Sequence, residues 1–257
     1  MIAAPSDLIR LRKPRVHLTC QMAAPKGLSV RSTLPEVMDG DNIDTATYQR
    51  CLTELDTINK VTLTHRPTLR RLARATRDLP TGATISVLDV AYGHGDLLRA
   101  ISRWADRRGL KARLSGIDLN PRSADAARSA TPPEMTIDFR TGDVFACVPT
   151  EPVDFIVSSQ FTHHLDDCQV VEFLLWLEAN SLRGWHIADL QRHALAYHGF
   201  PILASLMGWH PIVGFDGAIS IARSFRRKDW QQYLDKAGLQ AKISWHLAFR
   251  LCVSRVK

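Results

Sequence analysis

The residues of this chain best equipped for chemistry stand where short apolar runs end. Ile85-Ser-Val-Leu-Asp-Val90 gives way to Ala91-Tyr-Gly-His-Gly95, so Asp89 closes a run and two glycines follow it. Glycine lets the backbone turn tightly and approach a ligand, and a helix that starts there offers unpaired N–H groups. The next run closes on Gly116-Ile-Asp-Leu-Asn-Pro121. Here Asp118 either accepts both hydroxyls of a ribose or caps the turn that Asn120 and Pro121 open. Asp143, after Gly142, is a ligand contact or a turn residue. Ser158-Ser-Gln-Phe-Thr-His-His164 leaves a further run with two imidazoles, whose titration lies nearest neutrality. Asp189 leads into Arg192, His193 and Tyr197. These either face a substrate, with Arg192 on an acidic substituent, or lie on a partly exposed helix capped by Asp189.

For such residues to meet, the runs must be parallel strands whose carboxyl ends share one edge of a sheet. The pattern supports this. Strands are expected at 85–90, about 113–118, near 135–140, at 153–158 and at 185–190, with helices near 95–108 and 167–179 between them. Residues 226–237 read as helical, and 242–255 as a closing hairpin. The fold class is α/β, a Rossmann-like doubly wound sheet of about seven strands with the last antiparallel and an N-terminal helical cap. The chain divides into a leader at 1–33, a cap at 34–82 with helices at 43–60 and 65–77, and a main domain at 83–257. Within that domain, 191–224 form an acceptor-side insertion.

A dinucleotide loop Gly-x-Gly-x-x-Gly would need a third glycine at 98, where Leu98 stands. The segment instead resembles the Asp-x-Gly-x-Gly-x-Gly loop of class I S-adenosylmethionine-dependent methyltransferases, with Asp89, Gly93 and Gly95 matching and Ala91 replacing the first glycine. Over about 83–257 the chain is similar to bacterial small-molecule methyltransferases of the ubiquinone/menaquinone-biosynthesis type, through Val87-Leu-Asp-Val90, Gly116 to Pro121, Gly142-Asp-Val144 and His163-His-Leu165. The resemblance implies S-adenosylmethionine as cofactor, its ribose on Asp118 and its adenine near Leu119, Asp143 and Val144. Its methionine part would lie along Ala91, Tyr92, Gly93 and Gly95 and beside Ser158 and Ser159. A methyl at position 91 crowds the loop if that residue needs positive φ, and the bulk of His94 narrows the site.

Methyl transfer from a sulfonium asks the protein for alignment, desolvation and sometimes a base. His164, and secondarily His163, are the candidates for that base, or they hold their loop through backbone hydrogen bonds. Gln160, Arg192, His193 and Tyr197 are the candidate substrate contacts. Ser158 to Phe161 does not match the Asn/Asp-Pro-Pro-aromatic motif of amino methyltransferases on nucleobases, and no Pro-Cys pair supplies the thiol for cytosine methylation. The expected acceptor is a small aromatic or polyketide-like molecule, methylated on oxygen or carbon. A catalytically silent protein with the same fold, or an RNA methyltransferase using the basic leader, are the alternatives.

The formal charge of +7 supports a nucleic-acid partner less than it first suggests, because residues 1–33 hold six basic residues against one acid. That leaves +2 for the rest. Five scattered cysteines support neither a disulfide framework nor a metal site, and suit a reducing cytoplasm. With 45% hydrophobic and 23% charged residues and no long apolar run, a globular protein without a membrane span is expected. A homodimer is left open.

Overall fold

The computed structural model describes residues 28–40, 42–147, 149 and 153–257. Seven strands form one sheet: β1 (Thr84–Val90), β2 (Lys111–Asp118), β3 (Ile137–Thr141), β4 (Val153–Ser159), β5 (Ser181–Leu190), β6 (Lys242–His246) and β7 (Arg250–Val256). Their order is β3-β2-β1-β4-β5-β7-β6, with β1 to β5 parallel and β7 running antiparallel between β5 and β6. The strand order reverses between β1 and β4, which puts the ends of β1, β2 and β4 side by side at the ligand edge.

Helices cover both faces: α1 (Thr45–Val61), α2 (Arg66–Ala75), α3 (Asp96–Arg107), α4 (Pro121–Ser129), α5 (Asp167–Asn180), α6 (Ala194–Leu206), α7 (Pro211–Arg223) and α8 (Arg227–Ala237). Alternation along β1 divides the core. Ile85 and Val87 pack with Leu72, Leu98 and Ile101 of α2 and α3, whereas Leu88 and Val90 join Leu174, Leu177 and Trp230 of α5 and α8. Local chemistry starts the helices where the sequence indicated. Asn120 caps α4 ahead of Pro121, and Asp166 with Gln169 forms a capping box on α5.

Two boundaries differ from expectation. The helix expected in the cap at 65–77 covers a sheet face, because Leu72 is buried against Ile85 and Phe155. Of the two cap helices, α1 lies over the strand-end edge, where Leu52, Cys51 and Ile58 pack against α4 and α7. Most of the expected leader, residues 1–27, lies outside the described residues. Residues 28–33, also assigned to it, pack on the domain. Arg31 sits 4.2 Å above the Phe225 ring and donates to the carbonyls of Arg223 and Leu165 at 2.8 and 2.9 Å. Among the described residues, no helix is long and apolar enough to cross a membrane.

Candidate active site

The loop after β1 is built on left-handed backbone. Ala91 has φ +60°, Gly93 +52° and Gly95 +73°, and Gly95 opens α3. Position 91 thus carries the crowding that its methyl implied, at a conformation glycine adopts freely. A Cβ on Gly93 would meet no atom within 4 Å, so that side of the loop is free for a ligand to approach. A Cβ on Gly95 would stand 2.8 Å from the Phe139 ring. Gly93 is therefore the open side of the loop and Gly95 its packed side.

Asp118 ties this loop to β2. Its two carboxylate oxygens accept the N–H groups of Gly93 at 2.8 Å and Asn120 at 2.9 Å. The Asn120 contact is the turn-capping role; the Gly93 contact brings the carboxylate to the loop. Burial raises the Asp118 pKa above its ordinary value despite both bonds. The Gly142 N–H donates to the Asp118 carbonyl at 2.9 Å and thereby sets Asp143 and Val144 beside this turn. Asp143 is exposed and caps a short 3-10 turn by accepting from Phe145 N–H, Val144 is buried, and Leu119 is 72% exposed.

Asp89 is 2% exposed and has one carboxylate oxygen with no hydrogen-bond partner. Burial, then repulsion from Asp96 and Asp118, pushes its pKa well above the ordinary value. An ammonium group brought to the loop would relieve both costs. Ser158 hydroxyl donates to the Val90 carbonyl at 3.1 Å, while the Ser159 hydroxyl is buried without a partner. The loop 91–95, Asp118, Asp143, Val144 and Ser158 to Ser159 thus share one edge. Tyr92 differs: its ring is buried on Phe139 and against Gly116, so only its backbone faces the loop. His94 turns its ring away toward Arg99 and Asp56, at 3.3 and 3.7 Å.

Beside this edge lies a cavity of about 430 Å³, covered by α1, α6 and α7. Leu55, Ile58, Phe200 and Val213 make its apolar walls, and Glu36, Gln160, His163, His164 and Asp216 its polar side. Gln160 Nε2 donates to the side-chain Oδ1 of Asn59 at 2.8 Å, Asn59 Nδ2 to Asp96 at 2.9 Å, and His65 Nε2 to the same Asp96 oxygen at 2.8 Å. That chain of bonds fastens α1 over the loop. A larger cleft of about 670 Å³ between α1, α2 and α3 includes no strand-end residue.

The two histidines have different surroundings. His163 is 2% exposed, with Nδ1 2.7 Å from Asp189 and Nε2 3.4 Å from Glu36. Burial disfavours its charge, but Asp189 and Glu36 outweigh that and lift it to about 10. Glu36 and Asp189 are each drawn down to about 2 against the same burial, by the two histidines and by His163 respectively. A proton so held is not available for exchange near neutral pH, which removes His163 as a free base. His164 is 27% exposed and borders the cavity, with Nδ1 3.1 Å from Asp39.

The candidate substrate contacts separate. Only Gln160 borders the cavity. Arg192 is 4% exposed and pairs with Asp229 at 2.9 Å and the Ser224 carbonyl at 3.0 Å, since a buried guanidinium requires a carboxylate. His193, not Asp189, caps α6, by accepting from Leu195 N–H at 3.2 Å. Tyr197 packs against His198, away from the cavity. Asp189 instead accepts from Thr162, from the His163 backbone and ring, and from Leu190. Sequence reasoning missed Glu36, Asn59 and Asp216. No periodicity marks Glu36, and Asp216 acts by holding the amides of Val37 and Met38, which lie far from it in the chain.

Residues 87–177 match the family model of a methyltransferase domain. No curated protein sequence matches the chain. Among solved structures, the plantazolicin methyltransferase BpumL, in complex with a triazolic desmethylPZN analog and SAH, superposes with a TM-score of 0.63 at 15% identity, over 81% of this chain and 90% of that one. A SAM-dependent methyltransferase from Aquifex aeolicus gives 0.56 at 15%, over 84% and 99%. The CurJ carbon methyltransferase gives 0.61 at 11%, over 83% and 61%. The chain has the Rossmann-like α/β fold of class I S-adenosylmethionine-dependent methyltransferases. These matches do not single out the quinone-biosynthesis branch.

Proposed function

We propose that this protein transfers a methyl group from S-adenosylmethionine to a hydroxyl or carbon of a small acceptor, aromatic or polyketide-like. One observation carries the reading: a left-handed loop bonded to Asp118 and an apolar cavity with a polar side stand at the same strand-end edge, the cavity bordered by Gln160 just beyond β4. The unpaired Asp89 oxygen and the open face of Gly93 fit a ligand that brings a positive group to the loop. When bound, the cofactor supplies the electrophilic methyl and its own leaving group. Some solved neighbours of low identity hold SAH or SAM, and their acceptors are their own.

In this reading Asp118 accepts the ribose hydroxyls, and the backbone of 91–95 with Ser158 and Ser159 seats the methionine part. Leu119, Asp143 and Val144 flank the adenine. The cavity excludes water and aligns the acceptor, while His164 takes its proton. Gln160 offers a hydrogen bond, and Glu36 with Asp39 orients His164. A cavity of about 430 Å³ suits a small molecule better than a polynucleotide. The four described cysteines carry no disulfide, and a reducing cytoplasm accommodates them.

Calorimetry with S-adenosylhomocysteine tests the cofactor half; no heat at high micromolar ligand would favour the silent fold. A homocysteine-release screen over phenols and polyketide-like acceptors tests the rest. With an acceptor in hand, His164→Gln is expected to lower kcat by roughly 10²-fold and leave cofactor affinity unchanged. An unaltered kcat would assign catalysis to alignment and desolvation.

A further inference from the structure

The histidine pair makes a second constellation with Glu36. Among the described residues, Glu36, His163 and His164 are the group that brings three potential metal donors within 4.8 Å of one another. The Nε2 atoms of His163 and His164 lie 3.4 and 3.8 Å from the same Glu36 oxygen. Donors set tetrahedrally at bond lengths of about 2.1 Å stand about 3.4 Å apart, so the His163–Glu36 spacing already matches a coordination shell and the His164–Glu36 spacing is a few tenths of an ångström longer.

Each imidazole also has a carboxylate on its far nitrogen. His163 Nδ1 is 2.7 Å from Asp189, and His164 Nδ1 is 3.1 Å from Asp39. Metal-binding histidines almost always have such a partner, which selects the tautomer with Nε2 free and makes that nitrogen more basic. Four carboxylates, of Glu36, Asp39, Asp189 and Asp216, surround the pair, and the guanidinium of Arg223 approaches Asp39 at 3.8 Å. All three donors border the acceptor cavity.

We propose that Glu36, His163 and His164 bind a divalent transition-metal ion of the zinc type, whose remaining coordination position opens to the cavity and takes an oxygen or nitrogen of the acceptor. Two imidazoles and one carboxylate suit zinc or a neighbouring ion rather than calcium or magnesium, which prefer oxygen donors alone. The binding site stands on its own geometry; its use on an acceptor rests on the methyl-transfer reading. With metal bound, the ion takes the place of the His163 Nε2 proton that faces Glu36 in the metal-free chain, that proton leaving to solvent, and His164 serves as a ligand and not as a base.

The experiment is titration of the chelator-treated full-length chain with ZnCl2 by calorimetry, with CoCl2 absorption spectra as a second probe. One ion per chain is expected, together with the intense visible bands of low-symmetry Co²⁺. Glu36→Gln and His164→Gln should each weaken binding by about 100-fold, and Asp39→Asn by about 10-fold. Cys168→Ser, on an exposed thiol, should leave it unchanged. Circular dichroism establishes that each variant is folded, and His164 is exposed enough for its replacement to be tolerated. Substoichiometric binding to the wild type, or full affinity in folded His164→Gln, overturns the site. S-adenosylhomocysteine titrated into the same samples keeps the two readings apart. Cofactor heat without zinc binding rejects the metal alone, and zinc binding without cofactor heat upholds the metal while rejecting methyl transfer.

Discussion

The His163 imidazole donates from Nδ1 to Asp189 at 2.7 Å, with side-chain exposures of 2% and 0%. Glu36 stands at the other nitrogen, so one buried cation is held between two carboxylates. Removing the cation leaves Asp189 buried without a counter-charge, and His163→Gln is expected to cost about 3 kcal/mol in chemical denaturation. A loss under 1 kcal/mol would show that Asp189 finds compensation elsewhere.

In the metal-free chain the same pair sets a pH profile. His163 rises from 6.5 to about 10 on folding, so its contribution is complete below 6.5 and disappears as pH climbs through 10. Asp189 falls from 3.8 to about 2, so its contribution is complete above 3.8 and disappears as pH drops through 2. From this pair alone, stability should be highest between about 4 and 6.5. The thermal midpoint should then decline from pH 6.5 to 10 more steeply in the wild type than in His163→Gln; parallel curves would exclude His163 as the cause.

Ala91 holds a φ of +60°, which costs an alanine roughly 1 kcal/mol relative to glycine. Ala91→Gly should raise stability by up to about 1 kcal/mol, offset in part by the greater freedom of glycine in the unfolded chain. S-Adenosylhomocysteine affinity should stay equal or tighten. A clear drop in either would mean that the methyl makes a contact the loop needs.

Gly95 combines φ +73° with a Cβ position 2.8 Å from the Phe139 ring and 3.2 Å from Ala127. Gly95→Ala should destabilise by about 2 kcal/mol through crowding and backbone strain together. Phe139→Leu in that background, which withdraws the ring, should recover part of the loss. No recovery would leave backbone strain as the whole effect.

Asp118 bonds Gly93 and Asn120 while presenting its carboxylate at the ligand edge. Asp118→Ala is expected to weaken S-adenosylhomocysteine binding at least about tenfold, the effect of losing a charged acceptor worth roughly 1.5 kcal/mol or more. Calorimetry reads this directly, and an unchanged affinity would place the ribose elsewhere.

What the sequence by itself determined lies in short-range chemistry. Alternation along 85–90, the Asn120-Pro121 helix start and the glycines of 93 and 95 are readable because strand pairing, capping and turning depend on neighbours a few residues apart. The parallel sheet and the loop beside Asp118 follow from them. The tertiary structure alone decided the rest, for each decision joins distant segments. Glu36 reaches His163 across 127 positions, and Asp56, Asn59 and His65 meet the start of α3 from outside the domain that carries the motifs. Arg192 promised a substrate contact, yet Asp229 and the Ser224 carbonyl, over thirty residues away, claim it. A buried charge settles wherever folding supplies its partner, and that partner has no fixed spacing in the chain.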